Sequence, residues 1–129
     1  MMVAVAKLET SGPKPVFAGT KAIDTDHLAR MTLGERSLER EVLALFDRQA
    51  EMLLPRIRRG DRAVAAASAH TLKGSAVGIG AFGVARAAEA VEQAQDSVLR
   101  DAAFAAAIDT LAAVLEEAKA EIARLLRMI

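Results

Sequence analysis

A histidine, a lysine and a glycine occur close together in the stretch SAHTLKGSAVGIGA, which spans residues 68–81. His70 is one of only two histidines in the chain, and Lys73 and Gly74 follow it after three and four residues. On a helix, residues at these separations share a face with the histidine. A neutral imidazole is a nucleophile near neutral pH, and a neighbouring ammonium group stabilises phosphoryl oxygens. The stretch is therefore suited to phosphoryl transfer on His70.

The direction of His70 follows from the helical pattern around it. If Leu72 lies in the core, His70 lies about 160° away and faces solvent or a partner. A glycine one turn later, at position 74, leaves the imidazole open to approach. The residues that we expect around it on this outer face are all small or of moderate size: Ala66, Ala67, Gly74, Val77, Gly78 and Ala81. We predict that this face docks another protein.

Four substantial helices are predicted to position the site, at about residues 35–59, 62–77, 81–96 and 101–129. A short helix precedes them near residues 24–34, and no segment alternates like a strand. The helix predicted at residues 35–59 has apolar residues mostly three and four apart: Leu38, Val42, Leu45, Phe46, Leu53 and Ile57. The last helix continues this pattern without a break: Phe104, Ile108, Leu111, Leu115, Ala118, Ile122, Leu125 and Ile129. We expect an all-α, antiparallel up-down four-helix bundle with a short extra N-terminal helix.

Length and composition narrow the class of protein. The 129 residues suggest one domain over residues 23–129, after a flexible leader over residues 1–22 that contains two prolines and two glycines. Seventeen basic and seventeen acidic residues give no net charge, which argues against a nucleic-acid binder. There is no cysteine, and no apolar run long enough for a signal peptide or a membrane span. We expect a soluble cytoplasmic protein.

The stretch AHTLKGSAVGIGA resembles the signature of histidine-containing phosphotransfer (HPt) domains, the relay modules of multi-step two-component signalling. That signature is a histidine, two residues, Lys-Gly and a small residue, on the second long helix of a four-helix bundle. His70, Lys73, Gly74 and Ser75 match it. The run TLGERSLEREVLALF and the Gly-Asp helix junction at residues 60–61 are also similar to the family's approach to the histidine.

The resemblance implies a phosphorelay intermediate. His70 would accept a phosphoryl group from a receiver-domain aspartate, or from a hybrid sensor histidine kinase, and pass it to a response regulator. Lys73 would stabilise the phosphoryl charge and Gly74 would give access. The protein would be a monomeric carrier without substrate turnover of its own. It would need no cofactor, because the Mg²⁺ used in the transfer is required by the receiver partner.

Family members often carry a glutamine or another polar residue, about 22 positions after the histidine, that hydrogen-bonds the ring. That position is Glu92 here, and Gln93 follows it. A carboxylate also accepts a hydrogen bond from an imidazole N–H and fixes its tautomer. The resemblance thus implies Glu92 as the orienting residue, and Gln93 stays open as the residue that contacts His70 instead.

Other interpretations remain open at this point. The whole chain could be a helical interaction module that is not phosphorylated and that binds and regulates a kinase or receiver. A dimeric scaffold like that of histidine kinases is disfavoured, because four helices are predicted rather than two. A nucleotide-binding glycine loop needs a preceding strand, and the glycines here come late in a helix.

Two further clusters have structural explanations as well as functional ones. His27 lies beside Asp24 and Asp26, which hints at a metal, but carboxylates at a helix start are usually caps. The run RIRRGDR at residues 56–62 could attract an acidic surface, although cations are also favoured at a helix C-terminus.

Overall fold

The computed structural model describes residues 21–95 and 101–129 of the chain. Five helices occur in this part, and it contains no β-strand. Their bounds are α1 Thr25–Met31, α2 Arg36–Arg59, α3 Arg62–Ile79, α4 Phe82–Ala94 and α5 Asp101–Met128. The predicted leader lies outside the described residues, apart from its last two positions.

The four long helices form a ring of neighbours, in which α2 packs against α3, α3 against α4, α4 against α5 and α5 against α2. Two-residue links join α2 to α3 and α3 to α4, and such short links hold consecutive helices antiparallel. The short helix α1 lies against α3. The predicted all-α bundle with an extra N-terminal helix is confirmed.

The core follows the predicted stripe on α5. Ile108, Leu111, Leu115, Ala118 and Ile122 are buried, and the remaining apolar positions of the stripe pack against the core. None of the helices in the described ranges is long and apolar enough to cross a bilayer.

On α2 the expected stripe is only partly correct. Leu45 is 58% exposed, and Leu43 is buried in its place. Two parallel stripes explain the difference, because both follow alternating steps of three and four residues along α2 and both are apolar apart from Gln49 in the second. The buried stripe is Leu43, Phe46, Ala50, Leu53 and Ile57. The second stripe contains Leu38, Val42, Leu45, Gln49 and Met52, and all of its members are partly or fully exposed.

Helix α3 ends two residues later than predicted, because Gly80 and not Gly78 is its C-cap. Gly80 has a left-handed φ of 83°. Its N–H donates to Val77 O, and the N–H of Ala81 donates to Ala76 O, which is the pattern of a Schellman motif. A Cβ on Gly80 would also lie 2.7 Å from Asp24 O. Glycine is therefore needed here both for the turn and for the close approach of the segment before α1.

Candidate functional site

His70 lies on the outer face of α3, away from the core. Asp61 caps the start of this helix, since its Oδ1 accepts the N–H of Val64 at 2.9 Å. Leu72, two residues after His70, is fully buried, whereas the His70 side chain is 69% exposed. The helical rotation of about 100° per residue produces these opposite directions.

The carboxylate of Glu92 joins His70 and Lys73. Glu92 Oε2 lies 2.7 Å from His70 Nδ1, and its Oε1 lies 2.9 Å from Lys73 Nζ. Glu92 is on α4, which runs antiparallel to α3, so a residue 22 positions after the histidine returns to its side. Gln93 does not take this place, because its Nε2 donates to Glu89 Oε2 at 3.4 Å.

The electrostatics of the site favour charged forms of both Glu92 and Lys73. Partial burial disfavours ionisation of Glu92, but hydrogen bonds from Lys73 and His70 outweigh it and lower the pKa of the carboxyl group. The hydrogen bond to Glu92 raises the pKa of Lys73, against a smaller desolvation effect. Glu92 is therefore an anion at neutral pH, and Lys73 is a cation.

The tautomer of a neutral His70 ring follows from this ionised carboxylate. A carboxylate anion can only accept a hydrogen bond, so the proton of a neutral ring must be on Nδ1. The other ring nitrogen, Nε2, then carries the lone pair. Nε2 has no hydrogen-bond partner among the residues that the structure describes. The site thus presents an oriented nitrogen nucleophile on an exposed helix face.

Small side chains surround this nucleophile. Gly74 is exposed, and a Cβ added to it would meet no atom within 4 Å. Ala67 and Val77 are exposed on the same helix, and Gly78 is partly exposed. The internal packing of the domain therefore gives no reason for a glycine at position 74.

Two residues expected on this outer face are buried instead. Ala66 is 8% exposed, and it lies on the side of α3 that turns toward α4. Ala81 is fully buried, because Gly80 ends α3 and Ala81 becomes the N-cap residue of α4. The expectation that Ala66 and Ala81 form part of an exposed docking surface is therefore wrong.

An apolar groove extends the outer face toward α2, and the sequence reasoning missed it. It has a volume of about 280 Å³. Its lining comes from the turn after α1, from the second stripe of α2 and from α3, and includes Leu38, Val42, Leu45, Ser75 and Gly78. The four-and-three spacing of that second α2 stripe is the signal that could have revealed the groove.

The other sequence candidates have structural roles. Asp24 Oδ1 accepts the backbone N–H of His27 at 3.0 Å, as an N-cap does. The His27 ring makes an edge contact with Phe82, with the centroids 5.0 Å apart. Within residues 21–95 and 101–129, no group of three metal-ligating side chains is assembled. Arg56, Arg58 and Arg59 lie in the last turn of α2, where the helix dipole favours cations.

A second, larger groove of about 460 Å³ lies between α2 and α5. Pro55, Arg58, Glu116 and Lys119 are among its lining residues. None of the residues around His70 contributes to it, so it is not part of the candidate site.

Comparison with known proteins gives one family and one related structure. The family described as the Hpt domain matches residues 41–126. The crystal structure of the histidine phosphotransferase ShpA from Caulobacter crescentus is similar to this chain, with a TM-score of 0.67 and 28% sequence identity. The match covers 83% of this chain and 92% of ShpA. No curated protein matches the sequence significantly.

Proposed function

Because the chain belongs to the Hpt domain family, we propose that it is a phosphorelay intermediate that carries a phosphoryl group on His70 Nε2. The group comes from an aspartate of a receiver domain, including that of a hybrid sensor histidine kinase, and passes to a response regulator. One observation carries this proposal: Glu92 holds the exposed His70 ring through Nδ1 at 2.7 Å, which leaves Nε2 available.

The transfer needs no base from this chain. The Nε2 lone pair attacks the phosphorus of an aspartyl phosphate, the Nε2–P bond forms, and the O–P bond breaks with its electron pair going to the aspartate carboxylate. Nδ1 keeps its proton throughout, so the phosphorylated ring is a cation bonded to a phosphoryl dianion. The reverse steps deliver the group to the next aspartate. Positioning and charge stabilisation are thus the main demands on the protein.

Lys73 and Gly74 support these demands in different ways. Lys73 carries the positive charge nearest to the histidine along α3, and charge-assisted hydrogen bonds to phosphoryl oxygens are strong. Gly74 removes a side chain one turn from the imidazole, so that a receiver active site can approach closely.

The docking face of this proposal is the exposed part of α3 together with the apolar groove beside it. On α3 it consists of Ala67, Val77 and Gly78, and on α2 of Leu38, Val42 and Leu45. The buried centre of a protein–protein contact is more apolar than its rim, which suits an apolar groove of this kind. The partner is a receiver domain and not a nucleic acid, and the relay acts as a monomer.

The carrier has no independent turnover in this proposal. It returns to its starting state only when a second protein removes the phosphoryl group. Mg²⁺ would be held by the acidic residues of the receiver, where it would offset charge on the transferred group.

The test is phosphotransfer in vitro with purified proteins. A receiver domain labelled with ³²P is mixed with the wild type, with His70→Gln and with His27→Gln, in the presence of Mg²⁺. Label is expected on the wild type and on His27→Gln only, and it should be labile in acid and stable in base. His27→Gln controls for the other histidine. A receiver that binds the wild type well but never labels it would refute the relay, and would support the interaction module that is not phosphorylated.

A further inference from the structure

Glu92 differs from a neutral hydrogen-bond acceptor because it places a full negative charge against the ring. Its two oxygens lie 2.7 Å from His70 Nδ1 and 2.9 Å from Lys73 Nζ. A glutamine could satisfy the same ring N–H, but it would bring no charge. The consequence of the charge is greatest in the phosphorylated state, where the ring itself becomes a cation.

The reactivity of a phosphohistidine depends on the proton at Nδ1. While Nδ1 is protonated, breaking the Nε2–P bond releases a neutral imidazole. If Nδ1 loses its proton first, the same step must release an imidazolate anion, which is a much poorer leaving group. The phosphorylated ring is therefore competent for transfer only below the pH at which Nδ1 deprotonates.

We propose that the negative charge of Glu92 keeps the phosphorylated His70 ring protonated at Nδ1, and so extends phosphoryl transfer toward alkaline pH. This inference rests on the proposed relay function and adds a regulatory property to the same site. It makes Glu92 a positioning residue that also sets the upper pH limit of the relay.

The charges that surround the ring determine the size of this effect. On α4, Glu89 adds a second, more distant negative charge that acts on Lys73. On α3, Lys73 shares the Glu92 carboxylate and offsets part of its charge. The described residues of α1 and α2 that line the neighbouring groove are all uncharged. An opposite charge at hydrogen-bond distance shifts a titration by about one to three pH units. We expect about one unit, because Lys73 competes and the ring is exposed.

The test titrates the phosphorylated ring directly and needs no receiver. Phosphoramidate, a small phosphoryl donor, labels the wild type, Glu92→Gln and Glu89→Gln, and the ³¹P chemical shift of phosphohistidine is followed from pH 5 to 10. The midpoint of Glu92→Gln should lie about one pH unit below that of the wild type. Glu89→Gln is the matched control on the same helix and should titrate close to the wild type.

A further variant tests the sign of the effect. Lys73→Gln removes the competing cation, so its midpoint should move upward, opposite to that of Glu92→Gln. Equal midpoints in the wild type and Glu92→Gln would overturn the role of the charge, while the relay itself could still pass its receiver test. If receivers fail to label the wild type although the midpoints differ, the relay fails and the electrostatic coupling stands. A wild type that phosphoramidate does not label would count against both.

Discussion

Replacing Gly74 with alanine should make the domain more stable and a worse phosphotransfer partner. Gly74 is inside α3, and its φ is not in the left-handed region. An added Cβ would meet no atom within 4 Å, so it causes no clash within the domain. A stability gain and a loss of transfer from the same methyl group would show that this glycine is kept for access.

The expected gain in stability follows from helix propensity. Alanine is favoured over glycine in a helix interior by about 0.8–1 kcal/mol. With no steric penalty, the free energy of unfolding should rise by about 1 kcal/mol, which corresponds to a Tm increase of about 4 °C in a domain of this size. The methyl group lies one turn from the nucleophile, and a displacement of about 1 Å in the reacting groups can reduce the rate about a hundredfold.

Two measurements on the same preparations test this. Thermal unfolding followed by circular dichroism gives the stability, and rapid-quench transfer from a phosphorylated receiver gives the rate. Gly80→Ala is the matched control, because φ is 83° there and a Cβ would lie 2.7 Å from Asp24 O. That variant should lose at least about 1 kcal/mol of stability. A Gly74→Ala protein that gains stability and transfers at the wild-type rate would refute the access argument.

Three other outcomes are expected. Leu45→Lys should weaken receiver binding about tenfold or more, because Leu45 is 58% exposed in the free domain and its side chain would no longer be buried in the contact. Met128→Lys, at the end of α5, is the control and should bind the receiver as the wild type does. Isothermal titration calorimetry measures both affinities. The free energy of unfolding should fall as the pH drops below 4.5, because two carboxyl groups have lowered pKa values in the folded domain. Hydrogen bonds from Lys73 and His70 lower the pKa of Glu92, and the hydrogen bond from Arg124 lowers the pKa of Glu121. This stabilisation is present above pH 4.5 and is lost as the pH falls through the lowered values, and urea titrations between pH 3 and 7 measure it. Chelation of Mg²⁺ should stop transfer between receiver and domain but leave the Tm of the domain unchanged, as parallel transfer assays and melting curves would show.

The sequence predicted the helices well where the spacing of apolar residues agreed with the positions of capping and helix-ending residues. The continuous α5 stripe and the Gly60–Asp61 junction led to correct elements, because both depend on local spacing and on capping chemistry. The sequence offers two stops for α3, Gly78 and Gly80. Only the contact with Asp24 O and the left-handed turn distinguish them.

Apolar spacing along one helix could not predict which residues at the edge of its buried face are covered. A helical wheel ranks residues by angle, but neighbouring helices decide which angles are covered. Ala66 is covered on the side that turns toward α4, and Leu45 is left exposed because α2 has two apolar stripes and the core takes only one. A helical wheel of α3 places Ala81 on its outer face, but Ala81 follows the end of α3 and is the N-cap residue of α4.

The amino-acid sequence alone determined the candidate nucleophile, its direction and its close neighbours on α3, because these depend on the rotation of one helix. Tertiary structure decided what acts on His70 from outside that helix. The antiparallel packing of α4 brings Glu92, and not Gln93, to Nδ1 and to Lys73, and the packing of α2 forms the groove beside Gly78. The Glu92 contacts and the groove each bring together residues from different helices. Their geometry depends on how whole helices pack and not on any local sequence pattern.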